Sequence, residues 1–346
     1  MRRQGNTSIL IVYTGGTIGM IRDPETQQLY PFDFSHIEKQ VPEIKGFGYK
    51  VDSLTFSPVI DSSDITPEFW VRLVDIIAKE YENYDGFVIL HGTDTMAYTA
   101  SALSFMLEDL QKPVVLTGSQ LPIGTLRTDG KENIITAIEI AAARKDDDQA
   151  MVPEVALYFE NRLFRGNRIT KISSEHFNAF SSPNHTNLAE IGINIKYNYE
   201  AIRYPQSYSE LKVHRKLETN IAILKVHPGI NLNVVSALVH NTEIKAIILE
   251  TYGSGNALTT DWFIDLLREA IEQDKILLNI TQCLVGTVDM THYETGRKLM
   301  EIGVLNGYDL TTEAGLTKLM FLLGLGIKKE KIRMLLNKSI RGEINL

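Results

Sequence analysis

Cysteine is almost absent from this sequence. Among its 346 residues only Cys283 is a cysteine, so no disulfide can form within one chain. The eight histidines are scattered, and neither a paired-cysteine spacing nor the pattern His-Glu-x-x-His occurs. These absences exclude a disulfide-stapled domain and argue against a structural zinc site, and we expect neither metal nor cofactor.

Long apolar runs and an excess of positive charge are also missing. The apolar run at residues 9–13 is too short for a signal peptide, and no stretch approaches the length of a membrane-spanning helix. Lys and Arg number 35 against 43 Asp and Glu, a net charge of −8, which argues against nucleic acid or an anionic membrane as partner. We expect a cytoplasmic protein with a small-molecule substrate.

The composition is that of a globular protein of more than one domain. Hydrophobic residues make up 44% and charged residues 23%, and 346 residues favour two separate cores. Regular patterning fades at residues 201–218. We therefore predict two α/β domains: a larger one at residues 1–200 with a mostly parallel sheet, a linker at 201–218, and a smaller one at 219–346.

The parallel sheet is predicted from one strand, helix and strand in succession. Apolar strands at residues 86–90 and 112–116 flank an amphipathic helix at 96–110, and such βαβ units make parallel pairs. Further strands are predicted at residues 9–13, 54–60 and 155–159.

Three of these strands end in small hydroxylated residues, at Thr14, at Thr93 and at residues 117–119. The carboxyl ends of parallel strands share the sheet edge where ligands bind. Two glycines follow Thr14 and let a ligand approach the backbone closely. The same turn matches the dinucleotide fingerprint only in part and lacks the Lys-Ser or Lys-Thr pair of a P-loop. Taken alone, it is equally compatible with a plain tight turn.

The same edge carries the acids Asp61, Asp64 and Asp94, and Lys171 lies further along the chain. A threonine hydroxyl is a weak nucleophile that needs a base, and a lysine can act as one when it is neutral. His91 near Thr93 is better explained as a histidine satisfied by the backbone, and the serine-hydrolase pattern Gly-x-Ser-x-Gly is absent. The residues favour hydrolysis of an amide or ester.

Several segments together resemble one family. Residues 14–19 (TGGTIG) and 91–96 (HGTDTM) are similar to the two signatures of bacterial-type L-asparaginases, and residues 61–64, 117–120 and 166–171 resemble other site segments of that family. The similarity spans nearly the whole chain. Since we expect no signal peptide, the resemblance points to the cytoplasmic, type I branch of the family, and it implies two α/β domains.

The resemblance also implies residue roles. Thr14 corresponds to the nucleophile that attacks the side-chain amide of asparagine, giving an acyl-enzyme and ammonia. Thr93, Asp94 and Lys171 correspond to a second group of hydroxyl, acid and base. Tyr30, on a polar loop, corresponds to a tyrosine that closes over the substrate and hydrogen-bonds the nucleophile.

Substrate binding is implied in the same way. Asp61, Ser62 and Asp94, together with Thr93, correspond to residues that hold the α-amino and α-carboxylate groups of asparagine. Asn256 resembles an asparagine that reaches into the site of a neighbouring subunit. The resemblance therefore implies a homodimer or a tetramer built as a dimer of dimers.

One position departs from the family pattern. Some cytoplasmic relatives bind a second asparagine near positions matching Thr170 and Cys283, with help from an arginine, and here Glu250 stands where that arginine would be. An acid would repel the carboxylate of an effector. We therefore expect no activation by asparagine.

Two rival functions share these motifs. One is the amidotransferase subunit that releases ammonia from glutamine for tRNA-bound glutamate, which carries an additional N-terminal domain. The other is an amino-acid-binding protein without activity, which would not need both threonines, the aspartate and the lysine. Asparagine and glutamine differ by one methylene, worth only about 1 to 3 kcal/mol of discrimination, so the sequence leaves their preference open.

Overall fold

The computed structural model describes residues 7–22, 29–31, 41–207 and 209–345, which form two compact units. The first unit contains the described residues up to Ser182 and from Thr186 to Arg215, and the second contains residues 183–185 and those from Lys216 onward. The division after Arg215 falls inside the predicted linker, whereas residues 183–185 group with the second unit rather than the first. Within the described ranges, no helix is both long and apolar enough to cross a membrane.

The helices and strands of the first unit are listed here in chain order. They are β1 (Ser8–Tyr13), β2 (Met20–Arg22), β3 (Leu29–Pro31), β4 (Lys50–Thr55), α1 (Pro67–Glu80), β5 (Gly86–Leu90), α2 (Met96–Met106), β6 (Leu107–Glu108), β7 (Val114–Thr117), α3 (Gly130–Ala142), β8 (Val155–Phe159), β9 (Arg162–Arg165), β10 (Thr170–Lys171), β11 (Phe180–Ser181), β12 (Ala189–Ile191), β13 (Ile195–Tyr197) and β14 (Lys212–Val213).

The first unit is built on a sheet of eight strands in the order β13-β12-β9-β8-β7-β5-β1-β4. The five strands from β8 to β4 are parallel, and the other three are added antiparallel. Every residue of β5, β7 and β8 is buried, as expected for apolar strands covered on both faces. The predicted mostly parallel sheet is confirmed.

The strand predicted at residues 54–60 is wrong in position. The structure places β4 at the sheet edge, where its six residues run alongside β1. An edge strand is half exposed, so the polar Lys50 and Asp52 are accommodated there. Pro58 has no N–H for a sheet hydrogen bond, which excludes the second half of the predicted strand.

The helix predicted at residues 96–110 ends earlier, at Met106. Residues Leu107 and Glu108 instead pair antiparallel with Val213 and Lys212 in β14. The partner strand lies more than one hundred residues further along the chain, so local periodicity could not indicate it.

The second unit has a smaller sheet of four parallel strands in the order β15-β16-β17-β18. Every residue of β17 is buried, and the core includes Val235, Phe263 and Leu267 from two of the helices. Its elements in chain order are β15 (Ile221–Lys225), α4 (Leu232–Val239), β16 (Ala246–Thr251), α5 (Asp261–Glu272), β17 (Ile276–Thr281), α6 (Glu294–Glu301), β18 (Leu305–Asn306), α7 (Thr312–Gly324) and α8 (Lys329–Leu336).

Candidate active site

Thr14 directly follows β1 and is almost fully buried, with 2% of its surface exposed. Its backbone N–H donates to the carbonyl oxygen of Leu90 at 3.0 Å, and its Oγ1 donates to the same oxygen at 2.9 Å. Leu90 is the last residue of β5. Thr14 is therefore fixed at the carboxyl ends of two neighbouring parallel strands, the edge where open α/β sheets bind ligands.

The two glycines after Thr14 allow three chain segments to meet. Gly15 and Gly16 have φ angles of +135° and +86°, which residues with a side chain rarely adopt. A Cβ on Gly16 would lie 2.5 Å from the Cα of Gly92, and one on Gly15 would lie 2.1 Å from the carbonyl oxygen of Ile60. The turn after β1 therefore touches both the turn after β5 and the segment after β4.

Asp61 and Ser62 lie in that segment after β4. Asp61 precedes a 3-10 turn, and its Oδ1 accepts hydrogen bonds from the N–H of Ser63 at 2.9 Å and from the Ser63 hydroxyl at 2.8 Å. These two bonds lower the pKa of Asp61, so an anionic carboxylate stands here at neutral pH. Ser62 is buried, and a Cβ on Gly92 would lie 2.5 Å from its hydroxyl oxygen.

Lys171 joins Thr93 and Asp94. Its Nζ donates to Thr93 Oγ1 at 2.9 Å and to Asp94 Oδ1 at 2.7 Å. The Lys171 side chain is 18% exposed and that of Asp94 64%, so the amine is mostly enclosed and the carboxylate faces solvent. A hydroxyl, an amine and a carboxylate in contact can pass a proton from one to the next. The structure thus brings these three predicted residues together.

His91 has a structural rather than a catalytic environment. It is fully buried, its Nδ1 lies 2.6 Å from the carbonyl oxygen of Gly92, and its Nε2 lies 2.9 Å from Thr99 Oγ1. Burial lowers the pKa of His91 to about 4, so the ring is neutral at pH 7. Among the described residues, no three His, Cys, Asp or Glu side chains are grouped as a metal site.

The predicted site residue Tyr30 is located only in part. The backbone of Tyr30 lies in β3, opposite Ile21 of β2. Residues 23–28 of the same loop and 32–40 lie outside the described residues, and the role of Tyr30 stays a prediction.

Asn256 belongs to the second unit. Its backbone pairs with that of Tyr252 in an isolated bridge, and its Oδ1 accepts a hydrogen bond from Thr295 Oγ1 at 2.5 Å. These contacts fix the side chain within its own unit. Its contribution to a neighbouring subunit stays a prediction.

Gln120 and Asp129 also lie at this edge of the sheet, although the sequence suggests no role for either residue. The Thr93 hydroxyl donates to Gln120 Oε1 at 3.5 Å, and the Asp129 carboxylate accepts the N–H groups of Gln120 and Leu121. Asp129 stands at the N-cap of α3 but makes no capping bond with its side chain there. An acid before a helix normally indicates a cap, so this other use of Asp129 is not recognisable from the sequence.

A cavity of about 800 Å³ lies at the opposite, amino-terminal edge of the large sheet. Its lining includes Asp85, Lys112 and Arg144, but Lys112 and Arg144 already donate to backbone carbonyls. None of the predicted site residues lines it. The candidate active site is therefore the carboxyl-terminal edge.

Comparisons with known proteins agree with this architecture. The family model described as "Asparaginase, N-terminal" matches residues 8–203, and the one described as "Glutaminase/Asparaginase C-terminal domain" matches residues 220–336. L-asparaginase 1 of Escherichia coli is 43% identical over 345 residues, covering 97% of this chain and 98% of that protein. The 60 kDa lysophospholipase of Mus musculus is 40% identical over 363 residues, which cover 98% of this chain and 62% of that protein.

A solved structure of similar sequence has the same fold. L-asparaginase I from Vibrio cholerae superimposes with a TM-score of 0.88 at 40% identity, covering 99% of this chain and 100% of the other. Both family models and the full-length relatives span the two units described above. The chain belongs to the asparaginase family.

Proposed function

We propose that this protein hydrolyses L-asparagine to L-aspartate and ammonia, with Thr14 as the nucleophile of an acyl-enzyme mechanism. The observation that carries this proposal is the arrangement at the sheet edge. A buried threonine hydroxyl lies in a turn that touches the turn bearing Thr93, and Lys171 contacts Thr93 and Asp94. The names of the full-length bacterial relatives add support.

In the first step, Thr14 Oγ1 attacks the side-chain amide carbon of asparagine. A C–O bond forms, the C–N bond breaks, and the hydroxyl proton is delivered to the nitrogen, which leaves as ammonia. We assign Tyr30 to the hydrogen bond that assists this transfer. Backbone N–H groups in the glycine turns would stabilise the negative oxygen of the tetrahedral intermediate, and each such donor is worth about 2.7 to 4 kcal/mol in known enzymes.

In the second step, water attacks the ester carbon of the acyl-enzyme. One water proton returns to Thr14 Oγ1 as its bond to carbon breaks, and aspartate leaves. Thr93, Lys171 and Asp94 form a hydrogen-bonded chain that can orient the water and share its proton. General acid and base groups of this kind contribute about 10²- to 10⁴-fold in rate.

Substrate recognition uses the charges around these turns. The carboxylates of Asp61 and Asp94 suit the α-ammonium group of asparagine, and the Ser62 hydroxyl suits its α-carboxylate. Asp61 is held ionised by its bonds from Ser63.

We further propose a cytoplasmic homodimer, or a tetramer formed from two dimers, in which Asn256 reaches the site of a neighbouring subunit. This part of the proposal rests on the resemblance of the sequence to the type I family. Size measurement by light scattering tests it, and a monomer with full activity would contradict it.

Activation by a second asparagine is not expected. The Glu250 carboxylate accepts a hydrogen bond from Thr312 Oγ1 at 2.6 Å and lies 3.9 Å from Lys225 Nζ. A negative group here would repel an effector's carboxylate. The rate is therefore expected to rise hyperbolically with asparagine, and a sigmoidal curve would contradict this expectation.

The deciding experiment measures ammonia release from L-asparagine and from L-glutamine over a concentration series. Wild type is compared with Thr14→Ala, Thr93→Ala and the control Thr242→Ala, whose threonine is exposed in the second unit. We expect turnover of asparagine by wild type and the control, and its loss in both site variants. No ammonia from either amide with folded wild-type protein would contradict the proposal and favour a binding protein.

A further inference from the structure

Asp129 stabilises the turn that follows β7. Its two carboxylate oxygens accept the backbone N–H of Gln120 at 3.1 and 3.0 Å, and Oδ1 also accepts the N–H of Leu121 at 3.2 Å. The Asn133 side chain donates to Asp129 Oδ2 at 3.2 Å and to the carbonyl oxygen of Gly118 at 2.8 Å. Residues 118–121 are therefore tied to the start of α3 at both ends.

This turn presses against the turn that carries Thr93. A Cβ on Gly118 would lie 2.4 Å from the carbonyl oxygen of His91, so the two backbones are in direct contact. Gln120 Nε2 donates to the carbonyl oxygen of His176 at 2.9 Å. That bond fixes the orientation of the Gln120 amide and directs its oxygen, Oε1, toward Thr93.

The direction of the hydrogen bond between Lys171 and Thr93 indicates a role for Gln120 as the acceptor of the Thr93 proton. Lys171 Nζ donates to Thr93 Oγ1, so the Thr93 proton must go to another acceptor. Gln120 Oε1 is in place at 3.5 Å. This bond is long, but catalytic hydrogen bonds often tighten when substrate binds.

We propose that Asp129 is a positioning residue for Thr93, acting through the backbone and side chain of Gln120. The inference rests on the proposed function, because it assigns a use to Thr93 in turnover. Asp129 touches none of the reacting groups named above. It holds the turn from which Gln120 sets the direction of the Thr93 hydroxyl.

The test replaces Asp129 with asparagine. Asn has one side-chain acceptor oxygen, and its NH₂ group would face backbone donors, so the turn loses part of its support with little change in volume. We expect kcat for asparagine to fall about 10- to 100-fold, as for other small displacements of catalytic groups, with KM nearly unchanged.

Asp85→Asn is the matched control. Asp85 Oδ2 also accepts a backbone N–H, that of Ser8 at 2.9 Å, and the residue directly precedes β5 at the opposite edge of the same sheet. This variant loses a comparable bond, so a general loss of stability would affect both proteins. We expect its kcat to match wild type.

A double-mutant cycle separates positioning from a purely structural effect. If Asp129 acts through Gln120, then Asp129→Asn adds little loss of kcat in a Gln120→Ala background. The proposal would be overturned if the double variant showed the product of the two single fold-losses in kcat. It would also be overturned if kcat for Asp129→Asn equalled that of the control. Gln120→Ala alone is also expected to lower kcat. If Asp129→Asn does not fold, a kcat for Gln120→Ala equal to that of wild type would still overturn the proposal.

The wild-type assay distinguishes this inference from the proposed function. If wild type releases no ammonia, the function itself is wrong. If wild type is active and both Asp129→Asn and Gln120→Ala match it, only the role of Asp129 is wrong.

Discussion

The turns after β1 and β5 occupy matching places in the sheet but differ in chemistry. Tyr13 and Leu90, the last residues of the two strands, are paired in the parallel register, so Thr14 and His91 hold equivalent positions. Thr14 places a hydroxyl at the sheet edge, whereas His91 is fully buried and bonded at both ring nitrogens. The second threonine, Thr93, comes two residues later.

The two threonines differ in their partners as well. The Thr14 hydroxyl donates to a neutral backbone carbonyl, while Thr93 Oγ1 accepts a hydrogen bond from Lys171. A hydrogen bond accepted by the lone pair of an oxygen makes that oxygen a weaker nucleophile. The difference in neighbours, rather than in residue type, is why we propose the attacking role for Thr14 and the proton-sharing role for Thr93.

The largest expected effect is at the nucleophile. Thr14→Ala removes the attacking oxygen, and the loss of a nucleophile in a comparable hydrolase lowers kcat roughly 10⁶-fold. Thr14→Ser keeps a hydroxyl in the same turn and should retain measurable turnover. Ammonia release measured on both variants checks this, and equal rates for the two would mean that the Thr14 oxygen is not used.

Next in size is the loss of Lys171. Lys171→Met keeps a long side chain but removes the group that contacts Thr93 and Asp94, and we expect kcat to fall about 10²- to 10⁴-fold. Lys145→Met is the control, because Lys145 is similarly enclosed and pairs with Asp147 at 3.1 Å on a loop. A loss of activity in the control as large as that in Lys171→Met would contradict the assigned role.

Gly16→Ala tests the contact between the two turns. The substitution places a Cβ 2.5 Å from Gly92 at a φ of +86°. With its ψ of 171°, Gly16 lies in a backbone region that is essentially restricted to glycine, and a residue with a side chain there costs about 1 to 3 kcal/mol. Overpacking adds about 1 to 3 kcal/mol. Thermal or denaturant unfolding measures the loss of stability. Gly46→Ala is the control, since a Cβ there meets nothing within 4 Å, and equal losses in the two variants would contradict the account.

The smallest expected effect is on the stability of the fold, and it comes from His91 and depends on pH. Burial lowers its pKa from 6.5 to about 4 in the folded protein, so between these values the unfolded chain binds more protons. The contribution of His91 to the free energy of unfolding is therefore fully present above pH 6.5. It declines as the pH falls toward 4, by about 3 kcal/mol in total.

The matching variant is His91→Gln, which cannot titrate. The difference in unfolding free energy between wild type and His91→Gln should shrink as the pH is lowered from 7 to 4. Denaturant titrations at several pH values measure it, and a constant difference would mean that the ring is not held neutral.

Local sequence pattern predicted the parts of the fold that depend on local chemistry. The apolar run at Val155–Phe159 forms a strand with the predicted bounds, because five consecutive apolar residues suit a strand covered on both faces. Helices α6 and α8 are not indicated by the sequence pattern, since each buries only two residues, Gly296 and Leu299 in α6 and Ile332 and Leu336 in α8. Two buried positions in a helix are too few to produce a recognisable helical spacing of apolar residues in the sequence.

In the candidate site, too, the sequence indicates features that are local in the chain but not contacts between distant residues. Thr14 was identifiable because the strand and its glycines are adjacent in sequence. Lys171 lies 77 residues from Asp94, and only the resemblance to a family suggested that they act together. Gln120 lies in a segment that resembles a site segment of the family, but its role is not evident from the sequence. Asp129 is not indicated at all, because a bond from a side chain to a backbone N–H depends on the path of the turn.

Mass spectrometry of protein quenched in acid during turnover of asparagine tests the central claim most directly. The account predicts an aspartyl group on the peptide that contains Thr14, present in wild type or in the slower Lys171→Met variant and absent from Thr14→Ala. An aspartyl group on Thr93 instead, or undiminished ammonia release by Thr14→Ala, would contradict the assignment of the two threonines.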